Sequence, residues 1–391
     1  MNAPTPRHLL RERSPHGHHR VTFVELFFDL VFVFAVTQLS HRLLGSLTLL
    51  GALQTAMLAL AVWWVWIYTS WITNWLDPDR PPVRLLIFAL MLAGIGLSTS
   101  IPGAFEARSL PFAAAHASMQ VGRTLFMTLA IPPSQATLRL NFQRIAVWLA
   151  TSALFWLAGG LSSGSNQLAL WGIALAIEYV SPIARFWVPG LGASSVSDWS
   201  IEGGHLAERC ALFVIIALGE SVLVTGAALS AAVWTGEALA AFGASFAGSV
   251  AMWWIYFDRG ADLGSQQIMA SKDPGRLGRL VYTYLHLPIV LGIILSAVAD
   301  ELVMAHPSGH VHVEAAVSLI GGPLLYLAGA ISFKRAVRGW WQPSHLAGIG
   351  ALVLLSLVTP WLSQLLLGAL TTLVLIIVAA WETLSLTPRR R

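Results

Sequence analysis

The chain has 391 residues, 56% hydrophobic and 11% charged, with a formal net charge of +4 and a mean hydropathy of +0.69. Soluble globular proteins carry roughly 25% charged residues, so 19 acids and 23 bases exclude a soluble globule. The single cysteine, Cys210, excludes an internal disulfide and a Cys/His zinc array. The basic balance marks membrane sidedness; nucleic-acid binding would need a basic face interleaved with stacking aromatics on a soluble surface.

An all-α, polytopic integral membrane protein is therefore predicted. Arg7, Arg11, Arg13 and Arg20 precede an apolar run that contains Glu25 and Asp29 and is followed by no small-residue cleavage site, so this run reads as a retained first helix. Apolar runs of about 20 residues, the length that crosses a bilayer, place helices at 22–43, 49–75, 83–101, 112–130, 143–160, 167–188, 208–228, 236–257, 278–303, 312–334, 344–363 and 365–383. Of the Lys and Arg residues, Arg42 and Arg108 alone fall in segments on the outer side and Arg123 falls inside the fourth span. The others, among them Arg80, Arg84, Arg139, Arg144, Arg259, Lys272, Lys334, Arg338 and Arg389, lie in the tails and the inner loops. That bias predicts cytoplasmic termini. The rings of Trp63, Trp64, Trp66, Tyr68, Trp71 and Trp75, and of Trp253, Trp254 and Tyr256, read as an interfacial belt, because amphipathic rings favour the headgroup level.

The halves of the chain resemble each other. Trp63-Trp64 answers Trp253-Trp254; Arg80, Gly96 and Ser100 answer Arg276, Gly292 and Ser296; Ser118, Gly122, Leu125 and Phe126 answer Ser318, Gly322, Leu325 and Tyr326. An even number of spans per half gives two parallel six-helix repeats related by an axis along the membrane normal. The expected organisation is a basic cytoplasmic tail at 1–20, a first repeat at 21–190, a cytoplasmic linker at 191–207, a second repeat at 208–385 and a basic tail at 386–391. The paired Ser-x-x-x-Gly also reads as small-residue helix packing.

A charge at the bilayer centre costs about 2.5–3.5 kcal/mol on insertion scales, so each one retained calls for a partner or a task. In the first helix Glu25 and Asp29 lie one turn apart on a face shared with Val33, Val36 and Ser40. Two carboxylates so close repel, so one is protonated or cations from elsewhere sit between them. The seventh helix offers His205, Glu208 and Arg209 at its start and Glu220 about midway through the membrane. The ninth carries Arg279, Tyr282 and His286 along one stripe, then Pro288, which frees a carbonyl. These nine residues form the expected charged cluster. Asp300 and Glu301 precede a loop with His306, His310, His312 and Glu314, whose irregular spacing favours a solvated loop over a metal site; His16, His18 and His19 read as a disordered tract. Gly160-Leu-Ser162-Ser-Gly164 matches the hydrolase elbow pattern in the wrong context, a short loop between helices. The chain has no P-loop, no His-Glu-x-x-His and no dinucleotide fingerprint, so no cofactor is expected.

Glu25-Leu-Phe-Phe-Asp29-Leu-Val-Phe-Val-Phe-Ala35, His205-Leu-Ala-Glu208-Arg209, Leu218-Gly219-Glu220-Ser221 and Tyr282-x-x-x-His286-x-Pro288 together resemble the bacterial low-temperature-requirement protein A family over about residues 20–385. The resemblance implies a multi-pass protein of the bacterial cytoplasmic membrane associated with growth in the cold. The order Glu25-x-Phe27-x-Asp29-x-Val31-Phe32-x-x-Ala35-x-Thr37-x-Leu39 is also similar, more distantly, to the Phe-Ser-Asp signature of the endolysosomal and bacterial potassium channel family, with Phe28 in place of Ser and no Phe-x-Asp in the second half. That resemblance implies a pore lined by the first helix, with Glu25 and Asp29 organising its inner mouth. The expected function is an ion or small-solute channel or transporter. Its partners are the lipid bilayer and a monovalent cation or proton, with no nucleic acid, and a homodimer is an assembly open to it. A membrane-embedded enzyme on a lipid or lipid-linked substrate, and a non-transporting sensor or scaffold, stay open beside it.

Overall fold

Long apolar runs fold as helices because a helix satisfies its own backbone where no water can. The structure, a computed structural model, describes residues 9–11, 20–195, 202–258 and 274–386. His16, His18, His19, Arg259, Lys272 and the basic residues 389–391 lie outside them. Among the described residues twelve main helices run in order: α1 Phe23–Leu44, α2 Leu49–Thr73, α3 Pro81–Ser100, α4 Ser109–Ala130, α5 Ala136–Gly160, α6 Gly164–Val180, α7 Gly203–Ala231, α8 Gly236–Phe257, α9 His286–Ala305, α10 Val313–Arg338, α11 Pro343–Ser356 and α12 Gln364–Leu386. A short helical turn, Pro274–Gly278, and a π-helical stretch, Arg279–Leu285, lead into α9. Among the described residues there is no strand, only isolated bridges such as Leu10 with Leu76.

Eight of these helices, α1, α2, α3, α7, α8, α10, α12 and the Gly275–Ala305 stretch that includes α9, are long and apolar enough to cross a membrane. The other four fall short for visible reasons. α4 carries His116, Gln120 and Arg123, α5 carries Arg139, Asn141, Gln143 and Arg144, α6 has 17 residues and α11 has 14. α6 ends at Val180, earlier than its apolar run suggests, because the chain turns through Arg185 and Phe186 at positive φ of 54° and 49°. α7 begins at Gly203, five residues before its expected start, so His205 is helical and does not belong to a linker.

The chain divides into two compact units. The first contains α1 to α6 and the opening of α7 as far as Leu206; the second contains α7 from Ala207 and α8 to α12. In the first, α4 packs on α2, α3 and α5, and α5 on α6. α2 lies inside: Trp63, Trp64, Trp66, Tyr68, Trp71 and Trp75 are all buried. Trp64 stacks on Tyr179 at 4.1 Å and meets the Tyr68 ring at a tilt, 4.9 Å between centroids. These six rings are core, not a headgroup belt; a helix surrounded by others takes large rings for the apolar area they bury. Trp253 and Trp254 of α8 are exposed, as belt residues are, while Tyr256 is buried.

In the second unit α9 and α10 make the closest pair. A Cβ on Gly292 would stand 2.4 Å from the backbone nitrogen of Tyr326, and one on Gly322 2.5 Å from the Ser296 hydroxyl. The glycines expected to match them, Gly96 and Gly122, have nothing within 4 Å of such a Cβ. Small-residue packing therefore holds for Ser318-x-x-x-Gly322 and not for Ser118-x-x-x-Gly122. Gly292→Ala is expected to cost about 1–3 kcal/mol through overpacking, whereas Gly96→Ala should be neutral or stabilising through helix propensity, worth up to about 1 kcal/mol. Thermal unfolding of the two variants in detergent checks this; equal melting temperatures would contradict it.

Candidate functional site

Glu25 stands at the third position of α1, after Thr22 at the helix's N-cap. Its Oε2 accepts hydrogen bonds from the Thr22 backbone N–H and hydroxyl, both at 2.9 Å, so the acid reaches back to the cap as in one half of a capping box. The same carboxylate receives the Arg11 guanidinium at 3.1 Å and His205 Nε2 at 2.8 Å. Arg11 also donates to the carbonyls of Thr73 and Leu76, and backbone bonds tie residues 9–11 to 75–77. His205 Nδ1 lies on the other side of the ring, 3.4 Å from the Asn74 amide, so the imidazole bridges the Glu25 carboxylate and Asn74. Asn74 in turn exchanges bonds with the backbone of Glu202. Arg11 and His205 are thus partners of Glu25, the first of them from the chain before α1. Asp29, one turn on, accepts from the Trp66 indole at 2.8 Å.

A second buried network in the first unit has no counterpart among the sequence expectations. Glu178 of α6 takes His116 of α4 at 2.9 Å, the Ser152 hydroxyl at 2.9 Å and the Trp156 indole at 3.0 Å on one oxygen. Arg123, fully buried, donates to the Val65 carbonyl at 2.9 Å, to the Thr69 hydroxyl at 2.7 Å and to Gln120.

In the second unit Arg209 and Glu220 are both buried on α7 and Glu208 is half-buried. Arg279 opens the π-helical stretch and is half-buried. His286 Nδ1 donates to the Val281 carbonyl at 2.8 Å, across the irregular turn, so Nε2 accepts from the Tyr256 hydroxyl at 2.8 Å. The Tyr282 ring lies 5.3 Å from the His286 ring. Of the nine expected site residues, then, Glu25 meets His205 directly and Tyr282 meets His286. Lys334, expected in an inner loop, is buried in α10 and bonds Glu382 of α12 at 2.5 Å and the Ile255 carbonyl at 2.8 Å; Arg338 reaches the other Glu382 oxygen at 3.3 Å.

The second unit also holds a cleft with about 430 Å³ of empty space, its open mouth included. Four helices line it, and three do so with the same spacing: Ser245, Gly248, Ser249 and Met252 on α8; Ser296, Ala299, Asp300 and Val303 on α9; Gly368, Thr371, Thr372 and Leu375 on α12. Positions i, i+3, i+4 and i+7 share one helix face. α10 adds Leu319 and Pro323. Asp300 belongs to this cleft and not to the following His-rich loop. Its Oδ2 accepts from the Ser221 hydroxyl at 2.5 Å, with the Ser245 hydroxyl also on the carboxylate. Ser249 in turn donates to Ser221 at 3.0 Å. Sequence reasoning singles out Glu220 and passes over Ser221 beside it; the periodic Ser, Gly and Thr of α8 and α12 are the signal that marks this face.

No solved structure matches the chain. It is 40% identical over 384 residues to a Rhizobium meliloti (strain 1021) protein described as uncharacterized protein RA0937, an alignment covering 98% of this chain and 94% of that one. Residues 20–380 match the family described as bacterial low temperature requirement A protein. With its apolar spanning helices and these blocks along nearly its whole length, the chain belongs to the bacterial low temperature requirement A (LtrA) family.

Proposed function

We propose that the protein moves an ion or small solute across the bacterial cytoplasmic membrane, with both termini on the cytoplasmic side and the chain arranged as two parallel six-helix halves. The observation that carries this is the Asp300 cleft: a carboxylate beside open space among apolar helices. Ionisable groups retained among apolar spanning helices mark solute pathways when they face a cavity. The distant likeness to potassium channels supports an ionic cargo, with the Glu25 and Asp29 end of α1 as a second polar station. Reconstituted into liposomes, the protein should carry tracer cations. Asp300→Asn and Glu220→Gln should each slow that flux about tenfold or more, equivalent to roughly 1.4 kcal/mol on the barrier, with unchanged elution from a sizing column. Folded wild-type protein passing no monovalent cation or proton would remove the reading.

A second reading, a non-transporting sensor or scaffold, is favoured by one observation. Glu178 and Glu382 have their buried charges met by several partners each, as groups that serve helix pairing do.

A further inference from the structure

The hydroxyls of the cleft have committed their protons: Ser245 bonds the Asp300 carboxylate itself, and the others point theirs at backbone or at a neighbouring hydroxyl. Thr371 donates to the Gly368 carbonyl at 2.9 Å, Thr372 to the Ala244 carbonyl at 3.1 Å and Ser296 to the Gly292 carbonyl at 2.9 Å. A carbonyl only accepts, so these directions are fixed. Ser249 donates to Ser221, and Ser221 to Asp300. Towards the cleft these groups present lone pairs, and among the described residues lining it there is one acid and no Lys, Arg or His. Asp300 has no ion-pair partner among the described residues.

α10 contributes a further acceptor. Pro323, inside the helix, has no N–H to give the carbonyl four residues back, which is that of Leu319, and both residues line the cleft. A carbonyl that loses its helical donor in this way is the kind of backbone oxygen that coordinates small cations inside membrane proteins.

An anion would be repelled by this lining, and a sugar or other polyol would find acceptors but no donors for its own oxygens. A divalent ion needs six or more oxygens and usually several carboxylates, and one carboxylate would leave it with an excess charge in a medium of low dielectric. We infer that the cleft binds a single monovalent alkali cation, with Asp300 as counter-charge and the oxygens of Ser249, Thr371, Thr372 and Leu319 as neutral ligands. The site deepens the transport reading, and its role as a permeation or coupling station rests on that reading.

The experiment is the thermal stability of the purified full-length protein in detergent, titrated at constant ionic strength with lithium, sodium or potassium chloride against choline chloride. A saturable rise in melting temperature with at least one alkali ion, absent with choline, is expected. Asp300→Asn should abolish it, and Ser249→Ala, which leaves the charge in place, should weaken the apparent affinity about tenfold, the usual scale for losing a supporting ligand. Should Asp300→Asn fail to fold, the Ser249→Ala shift carries the test. The same melting curve in every salt, stabilisation by calcium or magnesium alone, or a response to pH with none to alkali ions would each overturn the site. Binding is read without a membrane, so the outcomes separate: alkali binding without flux removes transport and keeps the site, and flux without alkali binding does the reverse.

Discussion

Glu25→Leu is expected to destabilise the protein by about 3–5 kcal/mol, the usual cost of removing one partner from a buried ion pair. Arg11 and Glu25 expose only 7% and 1% of their side chains. With the carboxylate gone, the guanidinium keeps its bonds to the Thr73 and Leu76 carbonyls but loses its counter-charge. The Thr22 N–H loses its cap acceptor, which adds roughly 1 kcal/mol, and His205 loses its carboxylate partner. Glu25→Gln keeps an acceptor for Thr22 and should cost less. Combining Glu25→Leu with Arg11→Met should recover part of the loss, since most of that loss comes from the stranded guanidinium. Chemical or thermal unfolding of the four proteins in detergent decides: a Glu25→Leu change within about 0.5 kcal/mol, as at an ordinary surface site, would show that the network fastens nothing.

Much of this architecture was legible because bilayer thickness fixes helix length. Each of the twelve apolar runs holds a helix, eight of the helices being long and apolar enough to cross a membrane, and the ends move where local rules override hydropathy, as at the left-handed pair Arg185 and Phe186. The sites were less legible, for a different reason. Thr22-x-x-Glu25 is a local pattern and can be read directly, but its partner Arg11 lies in a segment that composition marks only as a basic tail. Glu178 and His116 are 62 residues apart, and Ser221 and Asp300 are 79 apart; no periodicity announces either meeting. Buried bases also confuse the count that sets sidedness. Arg11, Arg144 and Lys334 are loop or tail charges by sequence and buried ligands in the structure, so each of them answers to a packing partner as well as to the membrane potential. The tryptophans of α2 misled in the same way: an aromatic run has one appearance in sequence whether it meets headgroups or other helices, and only the surrounding α4 and α6 settle which.

Glu382 and its neighbours give the second large effect, with an asymmetry built in. Lys334 and Arg338 approach different oxygens of the one carboxylate, at 2.5 and 3.3 Å, and His345 stands 3.9 Å away. Glu382→Ala strands the buried ammonium and takes the anion from Arg338 as well, so a loss of about 3–5 kcal/mol is expected. Lys334→Met leaves Glu382 with Arg338 and replaces the ammonium by an apolar chain of similar length, which should cost less, about 1–3 kcal/mol, most of it from the unmet Ile255 carbonyl. The double variant should be more stable than the two single losses summed, with a coupling of roughly 0.5–3 kcal/mol, as for residues in direct contact. A Lys334→Met protein less stable than Glu382→Ala would mean that the carboxylate, not the ammonium, is the expensive charge. Flux separates this network from the cleft: reconstituted Lys334→Met should transport at close to the wild-type rate where Asp300→Asn does not, because a pair locked between α10 and α12 holds those helices together, whereas an acid facing open space has a position free for a passing ion.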